Sequence, residues 1–259
     1  MTSQISASHR VLFLIVLLVL CSSPALAHFP WLNAVDYTPP EGSALELNIG
    51  WGHAYPFAPF LKKEAVEGLS LTGPDTHCPK LEFVSDIEIK STESLTIPGA
   101  YIIAATRIPG FHTKTAQGYK SSSKKGLDHV LSCSFSHMSM KAVINVGDGK
   151  GVVDKPVGHD LEIVLMKNPV DVRAGEAMPV KVLYKQKPWS GMIFATYAGF
   201  STEKETFAYA TKTDKNGQGK IRMLQPGVWL LKVSQEETYP DPLECDIESY
   251  VASLTFEVN

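Results

Sequence analysis

Beyond residue 27 the chain carries histidines at positions 28, 53, 77, 112, 129, 137 and 159. Imidazole is a general base and a common ligand for zinc, copper, nickel and cobalt, so the spacing of these residues decides which chemistry is open. No two of them flank a glutamate at the helical spacing of a zinc protease, and no Cys-x-x-Cys knuckle occurs. Gly-x-Ser-x-Gly, phosphate-loop and dinucleotide fingerprints are also missing. A metal site must therefore be assembled from distant segments. His28 is the leading candidate, because it follows Ala25-Leu26-Ala27. Cleavage after Ala27 frees its α-amine, a weak base that loses its proton to a metal near neutral pH. Amine and imidazole together suit Ni(II) or Cu(II).

That reading needs an export signal, and residues 1–27 have the form of one. Arg10 supplies positive charge, residues 11–20 are apolar, Pro24 breaks the run, and small residues stand three and one before the cut. Cys21 offers a lipoprotein reading, but Leu20 stands where a small residue is wanted. The expected location is the periplasm. No later run is long and apolar enough for a membrane-spanning helix, so the mature chain is not expected to span a membrane. A formal net charge of −3 does not suit nucleic acid. Cys78, Cys133 and Cys245 remain after cleavage, and in an oxidising compartment two of them are expected to pair. Cys78 with Cys133 is the favoured pairing because both fall in the first half, although sequence alone does not settle connectivity.

The elements that must position these residues are strands. Short alternating apolar runs bounded by Gly, Pro, Asn and Asp argue an all-β protein. Two β-sandwich domains are expected after the signal, over residues 28–155 and 156–259. Seven short strands in the second half match the count of an immunoglobulin-like or transthyretin-like sandwich. Residues 109–128, polar and basic, read as a long exposed loop. If strands 31–37 and 44–51 form a hairpin about Pro40-Glu41, paired positions sum to 81. Tyr37 then faces Ala44, Leu32 faces Ile49, and His28 faces His53 on one side of the sheet. His53 thus becomes the partner ligand of His28, provided no bulge at Gly50 or Gly52 shifts the register.

Other candidates are weaker. Asp75-Thr76-His77-Cys78 reads as a turn with a disulfide cysteine. Cys133, His137, Met138 and Met140 suggest a Cu(I) site, but on a strand the two methionines share one face and His137 takes the other. Asp214-Lys215-Asn216-Gly217 is a hairpin tip rather than a calcium loop, and the acidic stretch from Glu236 to Glu248 is a solvated loop.

The start His28-Phe29-Pro30-Trp31-Leu32 and the later Gly52-His53-Ala54-Tyr55-Pro56 resemble the DUF4198 family. So do Ala174-Gly175-Glu176, Thr213-Asp214, Pro226-Gly227-Val228-Trp229, and the closing Leu254-Thr255-Phe256. The resemblance covers essentially the whole mature chain. It implies a periplasmic, NikK-like accessory protein of nickel or cobalt uptake, with two β domains and a membrane metal importer as partner. Only His28 and His53 carry over as ligands. The reading is therefore a binding protein for nickel, or alternatively cobalt or copper, and not an enzyme. The alternatives are an oxidative copper enzyme built on an amino-terminal histidine, and a sandwich module that binds or assembles without metal.

Overall fold

Alternation along each run decides which side chains are buried. In the second run Leu45, Leu47 and Ile49 are all buried while Glu46 between them is exposed, as period-two patterning requires. The computed structural model describes residues 28–76 and 78–259. The expected export signal over residues 1–27, with the expected cleavage site, and His77 lie outside the described residues.

The first half contributes β1 (Phe29–Ala34), β2 (Glu46–Gly52), β3 (Val66–Thr72), β4 (Leu81–Phe83), β5 (Ile89–Ser91), β6 (Gly99–Thr115), β7 (Gly118–Lys120) and β8 (Val130–Val146). The second contributes β9 (Leu161–Leu165), β10 (Ala177–Tyr184), β11 (Lys187–Pro188), β12 (Met192–Tyr197), β13 (Tyr209–Lys212), β14 (Gln218–Arg222), β15 (Gly227–Thr238) and β16 (Ile247–Val258). The protein is all-β and layered as sandwiches. A small sheet β1-β2-β5-β4 lies on one side of a large sheet β13-β12-β15-β16-β8-β6-β3, and a second small sheet, β9 with β10, β11 and β14, lies on the other. In the second half β9-β10-β14 face β13-β12-β15-β16, the seven-strand arrangement of an immunoglobulin-like sandwich.

The two halves share their middle layer. The division expected at residue 155 falls in the strand-free stretch between β8 and β9, but the large sheet runs through both halves because β8 pairs parallel with β16. Alternation along β16 serves both sides of that sheet. Ala252, Leu254 and Phe256 enter the core beneath β9 and β10. Ser253 and Thr255 point the other way, donating to the Pro30 and Leu32 carbonyls of β1 at 2.7 and 2.8 Å. Along β8, Met138 and Met140 pack on the β1 side, whereas Lys141 reaches Glu162 of β9. Both residues of that ion pair are buried, with Nζ to Oε1 at 2.7 Å. Glu162 also accepts the Val157 and Gly158 N–H groups at 2.7 and 3.1 Å. The connection between the halves is thereby fastened to the seam.

Two expectations are corrected. Residues 109–128 are not one exposed loop: β6 continues to Thr115, pairing with β8 past a register shift between Arg107 and Gly110, and β7 extends the hairpin. Polar composition suggested a loop there because Lys, Thr and Gly can also occupy a strand when a long neighbour supplies the ladder. The disulfide joins Cys133 to Cys245, with Cα atoms 5.0 Å apart, and Cys78 is free. The parallel register Ser134↔Ile247 brings the two cysteines together across 112 residues, a closeness that sequence distance hides.

Candidate metal centre

The first hairpin has the register that the sequence suggests. Phe29 pairs with Gly52, Leu32 with Ile49 and Ala34 with Leu47, and the Val35 N–H donates to the Glu46 carbonyl at 2.9 Å. The ladder ends there, short of Tyr37 and Ala44. Tyr37 instead turns inward, its hydroxyl donating to the Leu32 carbonyl at 3.2 Å and its own carbonyl accepting from Asn145. No bulge interrupts β2. Gly50 remains in register, and its lack of a side chain leaves room for the Trp31 indole, into which a Cβ would run. Pro30 has no N–H to donate and lies on an edge strand, where β2 is its ladder neighbour.

One step beyond the last pair, His28 and His53 meet, with ring centroids 4.1 Å apart at an interplanar angle of 44°. His28 also stacks on Trp51 at 5.5 Å and 15°. His53 begins a loop that folds back along β2: Trp51 donates to Pro59 and Leu61 donates to Ile49, both at 2.8 Å. Beneath this loop Tyr55 is buried with Phe29 and Trp31.

The second half holds His53 in place. Its Nδ1 lies 3.2 Å from Glu205 Oε1, and the other carboxylate oxygen accepts from Lys232 Nζ at 2.8 Å. With Nδ1–H donating to the carboxylate, Nε2 carries the free lone pair, a common arrangement behind metal-bound imidazoles. The Glu205 N–H donates to the His53 carbonyl at 2.9 Å, and Glu205 adopts a positive φ of 51° to do so. That is an uncommon backbone conformation for a residue with a Cβ. Lys232 sits 4.3 Å from the centroid of the Phe29 ring, which fixes its ammonium beside β1. The His28 pKa is lowered, first by burial and then by His53, Lys204 and His112, a direction that favours the neutral imidazole a metal requires.

The remaining candidates do not converge. Among the described residues, no three His, Cys, Asp or Glu side chains form a metal cage. Met138 and Met140 are buried, while His137 on the opposite face hydrogen-bonds Glu248 at 2.8 Å and stacks on Tyr250. Asp214 Oδ1 accepts from Asn216 and Gln218 at 2.8 and 2.9 Å, closing a turn. The acidic stretch is largely engaged within the protein. Glu237 pairs with Lys185. Asp246 is held below its ordinary pKa: burial opposes this, but Lys124 and the Cys133 N–H outweigh it. Of the aromatic residues near the histidines, Trp31 and Tyr55 are buried and Phe57 is exposed.

Glu205, Lys232 and Lys204 had no signal in the sequence. Glu205 stands 152 residues from His53, in a segment whose composition marks only a polar loop.

The model of a family described as "Domain of unknown function (DUF4198)" matches residues 25–237. No curated protein matches the chain. Among solved structures, the full ectodomain (Ig1–Ig3) of mouse nectin-like molecule 4 is similar over 83% of this chain and 95% of that chain, at 10% identity and a TM-score of 0.18. At that level the likeness carries no argument. Among the described residues, no helix is long and apolar enough to cross a membrane.

Proposed function

The chain belongs to the DUF4198 family, and we propose that it is an exported, periplasmic protein that binds a transition metal and hands it to a membrane importer. Nickel is the leading ion, with cobalt and copper as alternatives. The observation that carries this reading is the meeting of His28 and His53, ring centroids 4.1 Å apart, with Glu205 orienting His53. Removal of residues 1–27 adds the His28 α-amine as a third nitrogen. Amine, His28 imidazole and His53 Nε2 are borderline donors that suit Ni(II), Co(II) and Cu(II). Three donors leave coordination positions open, which favours exchange over permanent burial. Acid releases the ion by protonating the ligands.

The test uses protein whose first residue is His28, verified by mass spectrometry and titrated calorimetrically with Ni(II), Co(II) and Cu(II). At least one ion should bind with a Kd of about 1 μM or tighter, equivalent to roughly 8 kcal/mol. A variant with one residue added before His28, and His53→Ala, should each weaken binding by about tenfold or more. Binding of all three ions weaker than about 1 mM overturns the reading. Oxygen consumption with a reductant and bound copper would instead favour the oxidative enzyme.

A further inference from the structure

The charges around the histidine pair suit an anionic complex better than a bare cation. Lys232 holds its ammonium 4.3 Å from the ring centroid of Phe29, the residue after His28, and pairs with Glu205 at 2.8 Å. The carboxylate in contact with the pair, Glu205, is already shared between His53 and Lys232. Arg107 adds a further cation. Its guanidinium lies 5.3 Å from the Trp51 ring centroid, against the same indole that stacks on His28.

Strand register places these groups. Arg107 pairs with Met138 and His112 with Ser134. Met138 and Ser134 share a face of β8, the one that packs on Phe29 and Trp31. Arg107 and His112 therefore project towards β1 from the neighbouring strand.

Arg107 lacks the partners its position calls for. Among the described residues it makes no ion pair. Its Nη1 donates to the Ile108 carbonyl at 3.2 Å, while Nε is buried with no partner. A guanidinium presents donors in a fork that matches a carboxylate, and a buried donor left unpaired is costly. Lys204, exposed on the loop that carries Glu205, also makes no ion pair among the described residues.

We propose that the cargo arrives as a metal–carboxylate chelate. His28 and His53 displace water or weak ligands from the ion, while Arg107 and Lys204 hold carboxylate oxygens of the chelator. The exchange involves no change of oxidation state. This inference rests on the metal-binding reading, and goes beyond it by naming the class of cargo. A cationic wall repels a hydrated dication and attracts a negatively charged complex. Charge-assisted hydrogen bonds to guanidinium then hold that complex in one orientation.

The test compares Ni(II) alone, Ni(II) with citrate, and citrate alone, using full mature protein that begins at His28. At matched free Ni(II), citrate should strengthen nickel binding by about tenfold or more. Arg107→Gln should remove most of that gain and leave the affinity for Ni(II) alone unchanged or raised. Lys204→Gln, a change on the surface, should remove part of it without affecting folding. Citrate without metal should raise the Tm of His53→Ala protein, and Arg107→Gln should abolish that rise. Nickel binding that is unaffected or weakened by citrate overturns the proposal while the metal reading stands. Retention of the full citrate gain in both variants overturns it too. If nickel binds in neither form, the metal reading falls and this inference with it.

Discussion

Replacing Glu162 with Gln tests the seam between the halves. Lys141 and Glu162 are buried, with side chains 4% and 0% exposed. Burial pulls the Lys141 pKa down, and Glu162 draws it part of the way back. In Glu162→Gln the amide oxygen can still accept the Val157 N–H, but Lys141 loses its counter-charge. Stranding one member of a buried pair costs about 3–5 kcal/mol. Lys141 can escape by shedding its proton, at about 1.4 kcal/mol for each pH unit between neutrality and its ordinary value of 10.5, which caps the loss near 5 kcal/mol at pH 7. In the variant the folded pKa falls further below 10.5, so between the two values the unfolded chain binds the extra proton. Stability must therefore rise with pH, by up to about 1.4 kcal/mol per unit, and the penalty should fade towards pH 10. In the wild type, where Glu162 supports the charge, the rise is confined closer to 10.5. Urea unfolding at pH 7, 8 and 9, followed by fluorescence of the buried Trp31 and Trp229, measures both quantities. Lys141→Met combined with Glu162→Gln should recover about 2 kcal/mol of the single variant's loss. A single-variant loss below about 1 kcal/mol, a flat pH profile, or a double variant no more stable than the single would refute the reasoning.

Three further outcomes are expected. His159 is partly buried beside that pair, and burial lowers its pKa to about 4. The unfolded chain thus takes up a proton first as pH falls, and up to about 3 kcal/mol of stability present above pH 6.5 is lost on the way to pH 4. His159→Gln should flatten that slope in a plot of Tm against pH. Replacing Cys133 and Cys245 by Ala, which opens a loop of 112 residues, should cost about 2–5 kcal/mol by denaturant titration; maleimide labelling, without reductant, of unfolded protein that begins at His28 should modify Cys78 alone. Glu205→Gln should weaken Ni(II) binding by about 10–100-fold, with the loss of Nδ1–H preference in His53 visible in its nitrogen chemical shifts.

The hairpin that carries the site was legible because its determinants are local. Prolines mark the turn, period-two burial marks the face, and an uninterrupted pair of runs leaves one register, which extends to His28 and His53. The strands of the second half were legible for the same reason. The parallel pairing of β8 with β16 was not, because nothing near Cys133 specifies a neighbour more than a hundred residues away. Glu205 was hidden in the same way: its loop reaches His53 only after the large sheet has joined the halves. The segment after Pro109 was misread because a strand supported by a long neighbour needs little hydrophobicity of its own, and β8 supplies that support.

The β8–β16 seam also governs the order in which the chain can fold. β8 has β6 on one side from early on, but its other edge stays empty until the last strand is available. Contacts of such long sequence separation slow folding towards the millisecond-to-second range, because the intervening chain must be closed before the pairing rewards it. Until then β8 presents a long row of unpaired backbone groups, a template for misassociation. Cutting the chain ahead of β16 should therefore yield an open-edged, aggregation-prone species rather than a smaller folded protein. The histidine pair would lose support at the same stroke, since Ser253 and Thr255 of β16 donate to the β1 carbonyls of Pro30 and Leu32.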